Sequence, residues 1–131
     1  MATTTSGSGD PLKAADPINE RARFLSRNEP FRGLRDDELE RVAAALVERI
    51  VVADEPVLIE GGPPGTQLFV VRSGTLELVH GDVVLDIITS GQAFGHPTLL
   101  TGLAPEFTVR AREVSTLYCV PGDVALELLS R

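Results

Sequence analysis

The sequence has no tryptophan, a single cysteine and only two histidines among its 131 residues. His80 and His96 lie sixteen positions apart and form no close pair, whereas metal sites generally need three or four ligands. We therefore predict no metal site, which argues against a metalloenzyme of the cupin kind. Cys119 lies in the apolar stretch 117–120, and we predict a buried thiol rather than a nucleophile.

Long apolar runs and basic patches are also missing from the sequence. No apolar segment reaches the length of a membrane span, and no basic segment followed by an apolar one opens the chain. With the lone cysteine, this pattern predicts a cytoplasmic protein outside the membrane. The net charge of −7 argues against nucleic-acid binding, which needs clustered basic residues. An anionic ligand must then be captured by local geometry and not by the overall field.

The sequence pattern changes twice along the chain. Residues 1–16 are rich in Thr, Ser and Gly and are predicted to form a disordered tail, followed by one folded domain over residues 17–131. Apolar residues at helical spacing predict helices over residues 17–28 and 36–48. From Ile50 the period becomes that of strands. Seven short segments are rich in β-branched and aromatic residues and are separated by turn residues: 50–52, 57–59, 68–71, 75–79, 83–88, 108–111 and 116–120.

This spacing of strands predicts a mainly β domain with flanking helices, a sandwich or barrel of the jelly-roll type. A last helix is predicted to begin at residues 121–123, and because the sequence stops soon afterwards, we expect the domain to be part of a longer chain. By alternation, eight residues are predicted to face the core: Leu68, Val70, Leu76, Leu78, Leu85, Ile87, Val109 and Leu117.

Residues 91–112 form the most distinctive stretch. A glycine-bounded lead-in is followed by a short helical turn that begins with Pro97, and then by a strand over residues 107–112. A loop that ends at a helix N-terminus favours negative charge, because free N–H groups and the helix dipole point at it. The alternative, a plain helical corner between two strands, fits the same pattern equally well.

The order of these motifs resembles the cyclic nucleotide-binding domain family, with its CRP-like β-roll. The resemblance is carried by residues 31–34 before a helix, by Gly62 followed by residues 68–78, and by residues 91–95. It implies an eight-stranded antiparallel β-roll, or double-stranded β-helix, with two helices before it and a truncated helix after it. It also implies that residues 91–112 are the phosphate-binding cassette of that family.

Two positions of this cassette depart from the family pattern. His96 stands where the family places a Glu that binds the ribose hydroxyl, and Pro105 stands where it places the Arg that pairs with the cyclic phosphate. Glu106 lies beside that position. The departures imply weak binding of cyclic AMP or none, while the backbone cradle at Phe94 and Gly95 is retained.

Residues 94–102 and 105–111 also resemble, more narrowly, the sensor domain of bacterial proteins that join a cyclic-nucleotide-like domain to paired CBS domains and a nucleotidyltransferase-like domain. The resemblance implies a regulatory module of a cytoplasmic signalling protein, with no catalytic residues and no cofactor in this segment. Its partner is expected to be a nucleotide-like small molecule or a partner protein domain, and the longer protein is expected to be a homodimer. The alternative is a vestigial cassette in a structural or protein-interaction domain.

The residues of the cassette itself are predicted to form the ligand site. These are Phe94, Gly95, His96, Pro97, Thr98, Glu106, Phe107, Thr108 and Arg110. For Arg110 the alternative is a surface ion pair with Glu113 or Glu106, and for Phe107 it is a place in the core. His96 is either a ligand contact or an exposed loop residue. His80, beside the turn at Gly81, is predicted to be solvated.

Overall fold

A computed structural model describes residues 17–130, which fall into two compact units that divide between Ala44 and Ala45. The predicted disordered tail, residues 1–16, lies outside the described residues. Within residues 17–130, no helix is long and apolar enough to cross a membrane, and no group of three or more metal-ligating side chains is found.

The first unit contains two helices, α1 (Pro17–Ser26) and α2 (Asp36–Ala45). Helix α2 starts with three acidic residues, which the positive end of the helix dipole stabilises. The backbone N–H of Arg35 donates to Glu38 Oε1 at 2.9 Å, as in a capping box. The prediction that this helix extends to residue 48 is wrong, because residues from Val47 onwards pair with a strand near the end of the chain.

The second unit is built from eight strands in two four-stranded antiparallel sheets, in the orders β1-β8-β3-β6 and β2-β7-β4-β5. The strands are β1 (Val47–Val51), β2 (Pro56–Leu58), β3 (Gln67–Ser73), β4 (Thr75–His80), β5 (Val83–Thr89), β6 (Ala93–Phe94), β7 (Thr108–Ala111) and β8 (Ser115–Pro121). Two helices complete this unit: α3 (His96–Thr101) and α4 (Gly122–Leu129). The predicted eight-stranded β-roll with flanking helices is confirmed.

The core lies between the two sheets. Five of the eight predicted core residues are buried: Leu68, Val70, Leu76, Val109 and Leu117. Leu76, Val109 and Leu117 belong to the cluster between the sheets, and the half-buried Leu78 packs against it. On β3 the members of this cluster are Phe69 and Val71, so alternation assigned the wrong face of that strand. Cys119 is buried as predicted, and this burial raises the pKa of its thiol, which keeps it protonated.

The prediction for β5 is wrong at Leu85, which is 50% exposed, and at Ile87, which is only half-buried. Strand β5 lies at the edge of its sheet, and its register against β4 shifts between Leu78 and Val79. Leu78 pairs with Asp86, and Val79 pairs with Val84, so Leu85 is left over as a bulge residue. Beyond the bulge the alternation is inverted, and Ile88 takes the core position.

Candidate functional site

A cavity of about 360 Å³ lies within the second unit, beside α3 and the loop that returns to β7. Its walls come from β2, β4, β6, α3, the 102–107 loop and β7. The residues that line it are Leu58, Leu78, Phe94, Gly95, His96, Pro97, Thr98, Thr101, Leu103, Ala104, Pro105, Glu106, Phe107 and Val109. Most of them are apolar, and Glu106 is the one carboxylate among them.

Helix α3 begins at the cavity because the backbone turns sharply at Gly95. Gly95 has a φ of 97°, a conformation that strains other residues. A Cβ added there would lie 3.2 Å from the Phe69 ring and 3.3 Å from the Gln67 carbonyl oxygen. Pro97 contributes no N–H, and the N–H of Leu99 donates to the Gly95 carbonyl. The first turn of α3 thus offers at most two N–H groups to a ligand, those of His96 and Thr98.

Thr98 holds three segments of the chain together at the back of the cavity. It is 5% exposed. Its hydroxyl accepts a hydrogen bond from the Gly65 N–H at 3.0 Å and donates to the carbonyl of Leu103. Because donor and acceptor are both engaged, Thr98 orients the 102–107 loop against α3. Thr98 thereby shapes the cavity wall, and its contact with a ligand stays a prediction.

His96 lies at the first position of α3, half-buried in the cavity wall. In the part of the chain that the structure describes, no side chain or carbonyl hydrogen-bonds to its imidazole. Burial lowers the pKa of His96 below its usual value, because desolvation disfavours the charged ring. At neutral pH this side chain is therefore an uncharged polar group facing the cavity.

This direction of shift predicts how stability depends on pH. Below about pH 6.5 the unfolded chain binds a proton at His96 that the folded chain resists, so the free energy of unfolding falls as the pH falls. We expect the His96→Gln variant to lack this part of the loss. Urea titrations of both proteins at pH 7.5 and pH 5.0 measure the change in the free energy of unfolding. The contributions of His80 and of the carboxylates are common to both proteins and cancel when the two changes are subtracted. A difference between the two proteins that is independent of pH would contradict the burial of His96.

Glu106 and Phe107 also line the cavity. Glu106 is exposed at the mouth, and the half-buried Phe107 ring meets the His80 ring edge to face, with centroids 5.9 Å apart. His80 Nδ1 lies 3.1 Å from Glu60 Oε2, and the other oxygen of Glu60 accepts the Gly81 N–H. His80 is exposed beside the turn, as predicted for a solvated residue, with 61% of its side chain accessible. It also links Glu60 to Phe107.

Two predicted site residues lie outside the cavity. Thr108 Oγ1 accepts a hydrogen bond from the Glu60 N–H at 2.9 Å and so joins the end of β2 to β7. Arg110 Nε lies 2.8 Å from Glu77 Oε2, and Arg112 Nε lies 3.4 Å from the other oxygen of the same carboxylate. The surface ion pair, the alternative considered for Arg110, is formed, with Glu77 rather than with Glu113 or Glu106.

The structure thus brings seven of the nine predicted residues together: Phe94, Gly95, His96, Pro97, Thr98, Glu106 and Phe107. The apolar wall residues Leu58, Leu78, Leu103 and Val109 were not predicted. Their sequence signal is that of any core strand or loop. Only the pairing of β7 with both β2 and β4 reveals that Leu58, Leu78 and Val109 lie side by side at one cavity, which Leu103 joins from the 102–107 loop.

Comparison with known proteins connects this geometry to one family. A family model described as cyclic nucleotide-binding domain matches residues 49–131. The cGMP-dependent protein kinase of Eimeria tenella is 33% identical over 108 residues, which cover 82% of this chain and 11% of the kinase.

Solved structures share the fold at low sequence identity. The regulatory domain of Toxoplasma gondii PKA with cAMP has a TM-score of 0.82 at 18% identity, over 90% of this chain and 47% of that chain. The regulatory subunit of a cAMP-independent protein kinase A from Trypanosoma brucei has a TM-score of 0.81 at 18% identity, over 86% of this chain and 42% of that one. The chain therefore spans less than half the length of each of these relatives.

Proposed function

This chain belongs to the cyclic nucleotide-binding domain family, and from that premise we propose that it is a regulatory ligand-sensing module that binds cyclic AMP weakly or not at all. One observation carries the second half of the proposal. No cationic side chain lines the cavity within the described residues, whereas the carboxylate of Glu106 does. The nearby guanidinium of Arg110 is paired with Glu77 instead.

Two unfavourable terms weaken the binding of a cyclic nucleotide to this cavity. A charge-assisted hydrogen bond to a phosphate contributes roughly 1.5–3 kcal/mol, and Pro105 has no side-chain donor to make one. A carboxylate about 4 Å from a phosphodiester costs on the order of 1–4 kcal/mol between the dielectrics of water and a protein surface. His96, neutral at pH 7, offsets neither term. The apolar walls remain, and they favour ligands without charge.

We expect isothermal titration to find a dissociation constant of about 1 mM or weaker for both cyclic AMP and cyclic GMP at pH 7.5. The reason is the missing cation and the carboxylate at the mouth of the cavity. A dissociation constant near 10 μM for either nucleotide would show that the backbone and walls suffice for binding, and this part of the proposal would be wrong.

The narrower resemblance supplies the rest of the proposal. We place the domain in a longer cytoplasmic bacterial protein with paired CBS domains and a nucleotidyltransferase-like domain, where it regulates and does not catalyse. The Trypanosoma brucei neighbour, described as the regulatory subunit of a cAMP-independent kinase, is a precedent for this fold in a regulatory role without cyclic AMP. Reading the coding sequence downstream of Arg131 tests the proposed parent protein, since a kinase domain there would contradict it.

The second candidate function is that of a structural or protein-interaction domain with an empty cassette. It is favoured by the edge strand β5, where Val83, Val84 and Leu85 are all exposed. The two candidates differ in what they predict for the cavity. A sensor is stabilised by a small molecule that enters the cavity. An interaction domain binds its partner equally well when cavity residues are replaced without loss of the fold.

A further inference from the structure

We propose that the cavity selects an uncharged, planar aromatic molecule that carries an N–H donor. This inference rests on the proposed function, in that it takes the cavity to be a ligand site, and it specifies the chemical class of the ligand. Three observations carry it: the aromatic walls, the state of the polar side chains, and the sign of the charge at the mouth.

The aromatic walls are held in place from behind. The Phe94 ring, which lines the cavity, is stacked on Phe69 with centroids 5.0 Å apart and an angle of 16° between the planes. The Phe107 ring is held by its edge contact with His80, which is itself paired with Glu60. Rings that are already fixed lose little conformational freedom when a flat ligand packs against them. The volume of about 360 Å³ lies within the usual range for small-molecule sites.

The polar side chains of the cavity divide into those already satisfied and those that are not. Thr101 Oγ1 donates to the Pro97 carbonyl at 2.8 Å and accepts the Leu103 N–H at 3.1 Å. The Thr98 hydroxyl is engaged in the same way. Within the described chain, the polar side chains of the lining that have no hydrogen-bond or ion-pair partner are His96 and Glu106.

These two side chains set the charge that the cavity tolerates. The Glu106 carboxylate accepts N–H or O–H groups and repels anions, and the neutral imidazole of His96 presents one donor and one acceptor. An anionic ring system would place its charge near Glu106 with no cation to offset it. An uncharged ring system with an N–H donor satisfies Glu106 and packs on the same walls.

Two fluorescent probes test this selectivity because they share their rings and their amine. N-phenyl-1-naphthylamine is uncharged, and 8-anilino-1-naphthalenesulfonate carries a sulfonate on the same skeleton. In fluorescence titrations at pH 7.5 and 0.15 M salt, we expect the uncharged probe to bind at least tenfold more tightly. In the Glu106→Gln variant, we expect the affinity of the sulfonate probe to rise at least threefold. We expect the affinity of the uncharged probe not to rise, because its N–H exchanges a carboxylate acceptor for a neutral amide oxygen.

Two further variants locate the bound probe. Ala104→Trp adds a large ring to the cavity lining and is expected to weaken the binding of the uncharged probe at least fivefold. Leu85→Ser removes an exposed apolar side chain of β5, outside the cavity, and is expected to leave binding unchanged. If Leu85→Ser weakens the binding of the uncharged probe and Ala104→Trp does not, the probe binds the edge strand, and the inference is overturned.

The failure of this inference is distinguishable from the failure of the proposed function. Tighter binding of the sulfonate probe, with the Ala104→Trp effect retained, would overturn the choice of an uncharged ligand and keep the cavity as a ligand site. If neither probe nor either cyclic nucleotide binds to a folded protein, the cavity is not a ligand site, and the sensor function is wrong together with this inference.

Discussion

The double variant His96→Glu/Pro105→Arg is expected to bind cyclic AMP about 100-fold more tightly than the wild-type chain. Arg at position 105 restores a guanidinium at a cavity wall, where it can donate two charge-assisted hydrogen bonds at roughly 1.5–3 kcal/mol each. Part of that gain is lost to the neighbouring Glu106, which competes for the guanidinium. A tenfold change in affinity corresponds to about 1.4 kcal/mol, so a 100-fold gain requires less free energy than two such hydrogen bonds contribute.

Isothermal titration of the wild type and three variants separates a guanidinium in the cavity from one elsewhere on the protein. Val114→Arg adds a guanidinium, as Pro105→Arg does, but at an exposed position outside the cavity, and it is expected to leave the affinity of the wild type unchanged. Adding Glu106→Gln to the double variant is expected to raise affinity further. No gain in a double variant that unfolds at the wild-type temperature would show that the cavity does not present a cyclic-nucleotide site at all.

Leu76→Ala is expected to reduce the free energy of unfolding by roughly 2–5 kcal/mol. Leu76 has no exposed surface, pairs with Ile88 on β5 and with Ala111 on β7, and belongs to the main core cluster. Truncation there removes apolar contacts on every side and leaves a cavity that neighbouring strands cannot close. Urea denaturation followed by circular dichroism measures the loss.

The matched control for Leu76 is the same substitution at Leu85, which is half exposed at the β5 bulge. Surface substitutions usually change stability by about 0.5 kcal/mol or less, and we expect Leu85→Ala to fall in that range. Equal losses at the two positions would mean that β5 is paired in the unbulged register that strict alternation predicts.

The local pattern of residues predicted a mainly β domain of the jelly-roll type, and the resemblance to the family supplied the eight-stranded β-roll. The change of period near Ile50, the alternation through residues 68–71 and 75–79, and the turn residues between strands are properties of neighbouring residues. They predicted seven of the eight strands, and Pro97 predicted a helical turn close to where α3 begins. Strand β6 was not predicted, because its two residues, Ala93 and Phe94, are too few to show a period. Their pairing partners lie on β3, far away in the sequence.

The composition of the cavity depends on contacts between residues that are far apart in the chain. The bulge at Leu85 decides which face of β5 points inward. The alternation of neighbouring residues does not indicate this bulge. Arg110 pairs with Glu77 because the register of β7 against β4 places the two residues opposite each other. His80 reaches Phe107 and Glu60 only because the β4–β5 turn comes back beside the 102–107 loop. The sequence predicted a site that lacks a cation and contains Glu106, and only the tertiary structure brought Leu58, Leu78 and Val109 together as the apolar walls of one cavity.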